Sequence, residues 1–337
     1  MTTHEPPGGR PIELAGVGHD FPGAPVTNEY FESEHPGLGI DDAWIREHTG
    51  VGARHWPPPG EHHADMAERA VAMALKDAGV DAADVDVVIG TTATARPRTN
   101  PTTSGNRYMD LALPLQKRIG ADHAFAFDIT GVACAGFLHG SVVAQGLLAN
   151  PAVRTVLVVA AENPRPILNF GFRNAALFGG GAAAGVWRAS DAPGGLEGAV
   201  LRSDAEFYDA FDIDDQDKMI MKGKVVNGVA SRFLSEAARD VLAQCSLTLD
   251  DIDWIIPHQG NIHIIDEVGE ILGLPPERVL VNIDRRGNTS SVSVPSCLSE
   301  HVHDGTIRRG QRVLAMSVGR GFSWGAMVFR YGEPSRA

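Results

Sequence analysis

An α/β fold built from two related halves is what this 337-residue sequence predicts, on three observations. Thirty-eight glycines stand against an aromatic content of 7%, a balance suited to the tight turns and close backbone approaches of α/β chains more than to an aromatic-rich β-sandwich. Short β-rich runs alternate with amphipathic helical stretches along the chain. Four segments also recur in the same order, which chance does not readily produce together.

The first recurrence is a helical stretch, Ala70 to Leu75, that leads through Asp84-Val85-Asp86 into the strand Val87-Val88-Ile89. Ala237 to Leu242 leads in the same way through Asp251-Ile252-Asp253 into Trp254-Ile255-Ile256. Arg154 to Val159 is answered by Gln311 to Met316, and Ala184 to Arg188 by Gly325 to Arg330. Asp128, ahead of Cys134, has its counterpart in Asp284, ahead of Gly287-Asn288-Thr289. The length exceeds the roughly 100–200 residues of one domain, and a hydrophobic content of 43% supports two cores or one large fused core. The expected halves are residues 1–190, carrying the cysteine, and 191–337, carrying His258 and Asn288, with the Gly/Pro break from Asp191 to Gly195 as the seam. Halves related by a pseudo-twofold would bring the Cys134 turn and the Gly287-Asn288 turn face to face.

Charge and composition exclude several classes. With 29 basic and 42 acidic residues the net charge is −13, which argues against a nucleic-acid binder held by phosphate contacts. Cys134, Cys245 and Cys297 have no paired spacing, so neither a disulfide framework nor a zinc site is expected, and a reducing cytoplasm fits best. No run of about 18 apolar residues suggests a membrane span, and Met1 to Arg10 reads as a frayed Pro/Gly-rich leader with no signal-peptide pattern. His62-His63 and His301-Val302-His303 lack carboxylate or cysteine partners at ligand spacing, so no metal is expected.

The chemistry gathers at turns that follow strands. From Phe127 to Phe137 the chain reads as a strand, a tight small-residue turn bearing Cys134, and a helix. A thiol at a helix N-terminus is expected to ionise below its reference pKa of about 8.5, although packing is the commoner fate of a free cysteine. Trp254-Ile255-Ile256-Pro257-His258 places an imidazole just past a buried strand, where ligand sites of α/β sheets concentrate. Read alone, His258 is as readily a core histidine as a catalytic group, and Asn288 a turn residue. Together with Cys134 they are the ingredients of an acyl-thioester site.

Four motifs, in order, carry a resemblance: Ala133-Cys134-Ala135-Gly136-Phe137; Pro257-His258-Gln259 with Asn261; Asp284-Arg285 with Gly287-Asn288-Thr289-Ser290; and Gly319-Arg320-Gly321-Phe322-Ser323-Trp324-Gly325. The chain resembles the β-ketoacyl-acyl-carrier-protein synthase III family of thiolase-fold condensing enzymes. The resemblance implies a layered αβαβα thiolase-like fold, no cofactor, a homodimer, and acyl-CoA, malonyl thioester and acyl carrier protein as partners. It implies that Cys134 is the acyl-accepting nucleophile, that the N–H groups of Cys134 and Gly321 form the oxyanion hole, and that His258 and Asn288 hold the malonyl carbonyl. Trp44, Arg173, Gly223 and Asn261 would bind substrate or coenzyme A, in fatty-acid or specialised-metabolite synthesis.

The family pattern is not followed everywhere. His48 and His263 stand where the family has arginine, and Gly180 replaces an aspartate. Ala175 and Ala176 stand for larger aliphatic residues and lead us to expect a pocket for a starter bulkier than acetyl. Some of Lys218, Lys222, Lys224, Arg285, Arg286, Arg308 and Arg309, the basic residues of the second half, are expected to form a docking patch for an acidic carrier, with Lys222 and Arg286 the pair to reverse in a test. A second reading moves the acyl group to another acceptor without decarboxylation; a third, a non-catalytic partner subunit, is disfavoured because Cys134, His258 and Asn288 are all present.

Overall fold

The computed structural model describes residues 10–94, 110–190 and 195–333. Met1 to Gly9 of the expected leader and Asp191 to Gly194 of the expected seam lie outside the described residues. Strands β1 (Ile12–Asp20), β4 (Val87–Thr91), β5 (Phe125–Ile129), β6 (Thr155–Glu162) and β7 (Gly181–Ala189) form one sheet in the order β1-β7-β6-β4-β5. A second sheet holds β8 (Leu196–Ser203), β11 (Trp254–Ile256), β12 (Arg312–Gly319) and β13 (Ser323–Arg330), in the order β11-β12-β13-β8. Read from its first strand, β8-β13-β12-β11 repeats β1-β7-β6-β4. The senses repeat as well: β6 and β12 run parallel to β4 and β11 and antiparallel to β7 and β13. The place of β5 is kept in the second sheet by a single parallel bridge, Ile255 to Val279.

Helices complete five layers. On the outer face of the first sheet lie α3 (His63–Ala78) and α4 (Ala112–Ile119); on that of the second lie α6 (Gly223–Gln244) and α7 (Ile262–Leu272). Between the sheets run α5 (Gly136–Leu148) and α9 (Ser293–His303). There Phe137, Leu138, Cys297 and Leu298 pack with Val156 and Val158 of one sheet and Val313 and Met327 of the other. Alternation along β6 sends Val156 and Val158 to this central layer and Leu157 and Val159 outward against α3. Both faces are therefore apolar, which is why the strand reads as a continuous hydrophobic run. Helix α5 buries Phe137, Leu138, Ala144 and Leu148 in this layer.

Small residues set the spacing. Ala67, Ala70, Ala74 and Ala78 line the buried side of α3, and β1 meets them with Gly16 and Gly18. A Cβ at Gly18 would stand 2.1 Å from the Ala70 carbonyl oxygen, and one at Gly16 2.3 Å from the Ala78 nitrogen. The remaining elements surround the site: α1 (Glu29–Glu34), α2 (Asp42–Thr49), α8 (Ile283–Arg286), and two short ladders, β2 (Val26–Thr27) with β3 (Ala53–Arg54) and β9 (Phe211–Ile213) with β10 (Met219–Met221). Among the described residues no helix is long and apolar enough to cross a membrane.

The β1–α3 contact has a direct test. Overpacking of this kind costs about 1–3 kcal/mol, so Gly18→Ala is expected to lower the urea midpoint markedly. Gly37→Ala, whose added Cβ meets nothing within 4 Å, should leave the midpoint near wild type; equal midpoints for the two variants would refute the close-packing account.

Candidate active site

Cys134 sits in a single 3₁₀ turn, Ala133–Ala135, that runs directly into α5. Ala133 adopts φ +43°, a left-handed conformation that a residue with a Cβ takes only when its surroundings enforce it. The surroundings are the end of β12. Ser317 Oγ donates to the Cys134 carbonyl at 2.8 Å. A Cβ at Gly319 would lie 2.0 Å from the Val132 oxygen and 2.8 Å from the Cys134 nitrogen, so only glycine lets the strand press against the turn. Across from it, Ser290 is also left-handed, at φ +53°, and its Oγ accepts the Cys134 thiol hydrogen at 3.4 Å. The two turns meet across the halves.

The thiol does not ionise easily. Burial pushes it up to about 12, and the negative charge of Glu162 acts in the same direction, while the hydrogen bond to Ser290 acts in the opposite one. Burial thus opposes the ionisation expected at the helix start, because an anion there is taken out of water. Proton removal must therefore accompany the chemistry.

His258 lies just beyond β11. A Cβ at Gly260 would come 2.8 Å from its Cδ2 and 3.0 Å from its Nε2, so glycine makes room for the ring. Nδ1 is buried with no hydrogen-bond partner, and burial pushes the imidazole down to about 4. The ring is thus neutral at physiological pH, and the proton belongs on Nε2, the nitrogen left for the cavity. Asn288 is oriented by its neighbours: Oδ1 accepts the Ser290 N–H at 2.8 Å, and Nδ2 donates to the Gly260 carbonyl at 3.4 Å. Its second amide hydrogen remains for a ligand.

Two cavities join at these residues. A smaller one, of about 190 Å³, is lined by Cys134, His258 and Asn288 together with Trp44, Arg173, Gly223 and Asn261. A larger one, of about 380 Å³, also reaches Cys134 and Asn288 and is walled by Thr92, Glu162, Phe178, Met219 and Arg320. Seven of the residues named from the sequence thus face one cavity. Gly321, with φ +133°, follows Arg320 in the turn that leaves β12.

Other expectations change in detail. Trp44 stacks on His48 with ring centroids 4.1 Å apart, and the Arg173 guanidinium lies 5.1 Å from the tryptophan centroid while its Nε donates to the Leu38 carbonyl. The amide of Asn261 ties α2 to α7, its Oδ1 accepting the His263 N–H and its Nδ2 donating to the His48 carbonyl. The imidazole of His263 bonds the Glu47 carbonyl. Ala175 and Ala176 do not enlarge the cavity; they pack with Phe31 and Ile45 in a separate cluster. Gly180 has no room for an aspartate, since a Cβ there would lie 2.8 Å from the Glu162 carbonyl. Arg286 is not a docking residue: it pairs with Glu300, bonds His55 and covers the Phe21 ring. Lys222 pairs with Asp209.

Glu162, Ser290, Gly319 and Arg320 belong to the site with no role assigned from the sequence. The signal was faint: a glutamate closing an apolar strand and a charged residue between two glycines. Arg320 donates from Nε to the Phe211 carbonyl and makes no ion pair among the described residues. Among the described residues no group of three or more His, Cys, Asp or Glu is arranged to hold a metal ion.

This combination of a five-layer fold and a cysteine between paired turns describes a thiolase-like acyl-transferring enzyme, and comparison with known proteins agrees. The family model for 3-oxoacyl-[acyl-carrier-protein] synthase III matches residues 127–205, and the model for its C-terminal part matches residues 242–331. The β-ketoacyl-[acyl-carrier-protein] synthase III of Acidiphilium cryptum is 38% identical over 328 residues, 94% of this chain and 98% of that one. The crystal structure of the synthase III of Pseudomonas aeruginosa superposes with a TM-score of 0.86 at 31% identity, covering 97% of this chain and all of the other. The priming β-ketosynthase of the R1128 polyketide pathway superposes with a TM-score of 0.87 at 30% identity, covering 97% and 98%. The chain belongs to the β-ketoacyl-[acyl-carrier-protein] synthase III family, and its fold is thiolase-like.

A thiol held near 12 makes a kinetic statement. Alkylation of Cys134 by iodoacetamide, read by peptide mass, is expected to rise about tenfold per pH unit from 7 to 10 without levelling. A plateau near 8.5 would show instead that the helix start prevails.

Proposed function

We propose that this enzyme takes an acyl group from acyl-CoA onto Cys134 and condenses it with a malonyl thioester on an acyl carrier protein, releasing carbon dioxide and a β-ketoacyl thioester. The observation that carries this reading is the meeting, on one cavity, of a protonated thiol and two neutral hydrogen-bond donors, His258 and Asn288. In the first step Sγ attacks the thioester carbonyl, the bond from that carbon to the coenzyme A sulfur breaks, and the thiol proton passes to the departing sulfur. The N–H groups of Cys134 and Gly321 are assigned to the carbonyl oxygen, a donor of that type being worth ~3 kcal/mol.

In the second step the carbon–carboxylate bond of malonyl breaks and its electron pair becomes an enolate. His258 Nε2–H and the Asn288 amide hold the enolate oxygen, and neither needs to lose a proton to do so. The enolate carbon attacks the acyl carbonyl, and Cys134 leaves as a thiolate and recovers a proton. No cofactor enters these steps. The smaller cavity, with Trp44, Arg173, Gly223 and Asn261, is assigned to the pantetheine and coenzyme A side. The larger cavity is assigned to the acyl group, and about 380 Å³ supports a starter bulkier than acetyl, since a water's share of liquid volume is only about 30 Å³. Lys224, exposed beside Gly223 at the start of α6, suits the docking of an acidic carrier. The three free cysteines suit a reducing cytoplasm.

A homodimer joined through β5 completes the reading. This edge strand carries Phe125, 64% exposed, and beside it Leu113 is 55% and Val143 38% exposed; an uncovered apolar edge invites strand pairing. Phe125→Glu is expected to give a monomer by light scattering, whereas an unchanged mass would place the interface elsewhere.

Intact-mass measurement after incubation with a panel of acyl-CoAs, followed by malonyl-carrier protein, tests the reaction. The expected results are an acyl adduct lost in Cys134→Ala and a β-keto product whose formation falls about a hundredfold in Asn288→Ala, with the adduct retained. Transfer of the acyl group to another acceptor without loss of carbon dioxide would establish the non-decarboxylating alternative.

A further inference from the structure

We infer that Glu162 is a positioning residue that clamps the Asn288–Ser291 turn against Cys134 and keeps a negative charge beside the nucleophile. The inference rests on the condensing reading for its effect on turnover, but not for its effect on the thiol. Glu162 closes β6, is fully buried and lines the larger cavity with Cys134. Its Oε1 accepts from Ser291 Oγ at 2.5 Å and from the Ser291 N–H at 3.4 Å. Its Oε2 accepts from Thr94 Oγ1 at 2.7 Å, and the Ala93 N–H reaches both oxygens at 3.1 Å.

The donors gathered on Glu162 favour its ionised form. Thr94 Oγ1 accepts the Asn163 N–H at 2.8 Å and lies 2.9 Å from His63 Nε2, which leaves its hydrogen for Glu162 when that nitrogen carries a proton. Two backbone N–H groups, which can only donate, and the hydroxyls of Thr92, Thr94 and Ser291 converge on one carboxyl group; these bonds favour the carboxylate, while burial acts in the opposite direction. A carboxylate so held is strongly bonded, because hydrogen bonds to ionised acceptors are about twice as strong as neutral ones.

The clamp lies next to the strained link. Ser290 holds its left-handed conformation between Asn288, whose Oδ1 takes its N–H, and Ser291, which Glu162 holds from both backbone and side chain. Release of Ser291 would let Ser290 relax, and the Cys134 thiol contact and the Asn288 amide would move with it. Glu162 comes from the first sheet and the turn from the second half, so this bond joins the two sides of the site.

The other groups around the thiol do not duplicate the charge. His258, beyond β11, is neutral; Asp212 on β9 is exposed; Arg320 enters from the β12–β13 turn with its Nε on the Phe211 carbonyl; and His139 on α5 bonds the Ala135 carbonyl. Glu162 is the buried acid of the cavity wall.

Glu162→Gln, Glu162→Asp and Ser291→Ala separate the two parts of the proposal. In Glu162→Gln the charge is gone and an amide hydrogen faces existing donors, so condensation turnover should fall about tenfold or more with the KM for acyl-CoA little changed. Alkylation of Cys134 at fixed pH should meanwhile become about three- to tenfold faster, because the thiolate no longer faces an anion. Glu162→Asp and Ser291→Ala keep the charge and break the clamp, so turnover should fall while alkylation does not rise above the wild-type rate. General loosening would also expose the thiol, so the contrast decides: alkylation rises in Glu162→Gln and not in Glu162→Asp or Ser291→Ala, and Ser291→Ala serves if Glu162→Gln fails to fold. Unchanged or slower alkylation in a folded Glu162→Gln, or full turnover in Ser291→Ala, would overturn the assignment. If the wild type forms an acyl adduct but no β-keto product, the condensing reading falls, and the alkylation contrast still decides the place of Glu162.

Discussion

The close approach of the β12 backbone to the turn that bears Cys134 is the contact on which the site depends. Gly319 stands where any side chain would collide with Val132 and Cys134, and Ser317 ties the Cys134 carbonyl to the same strand. Because β12 is central to the second sheet and the turn follows a strand of the first, this contact fixes the two sheets relative to each other. The central helices α5 and α9 then fill the space that remains, with Phe137, Leu138, Cys297 and Leu298 buried between the sheets. Ala133 and Ser290 accept left-handed conformations because the packing around them leaves no alternative.

Dehydration of the same region sets its chemistry. Burial holds the Cys134 thiol protonated and the His258 imidazole neutral, so the resting site presents few charges to an incoming thioester. Neutral donors suit an enolate oxygen, since they stabilise charge that appears during the reaction and do not bind it beforehand. Glu162 is the exception, a buried carboxylate that its ring of donors makes tolerable.

Much of this was legible in the chain. The recurring segments near Val87 and Trp254, Arg154 and Gln311, and Ala184 and Gly325 fall on strands with the same neighbours and senses in the two sheets. The Cys134 and His258 turns were visible because each follows a strand and contains small residues, whereas the Asn288 turn, expected after a strand, follows the short helix α8. The uses of Ala175, Ala176, Asn261 and Arg286 were not visible. Each depends on which distant segment packs beside it: Phe31 for the alanines, α2 for Asn261, and Phe21 with Glu300 for Arg286.

By itself, then, the sequence determined the α/β class, the internal repetition and the candidate side chains that meet at one cavity, because hydrophobic period, turn chemistry and motif spacing are local properties. Tertiary structure decided the protonation of Cys134 and His258, the enlistment of Glu162 and Ser290, and the division of the cavity into two arms. Those depend on desolvation and on contacts between residues far apart in the chain, such as Glu162 with Ser291. Neither is written in any short stretch of sequence, since both arise only when the two sheets close on each other and exclude water.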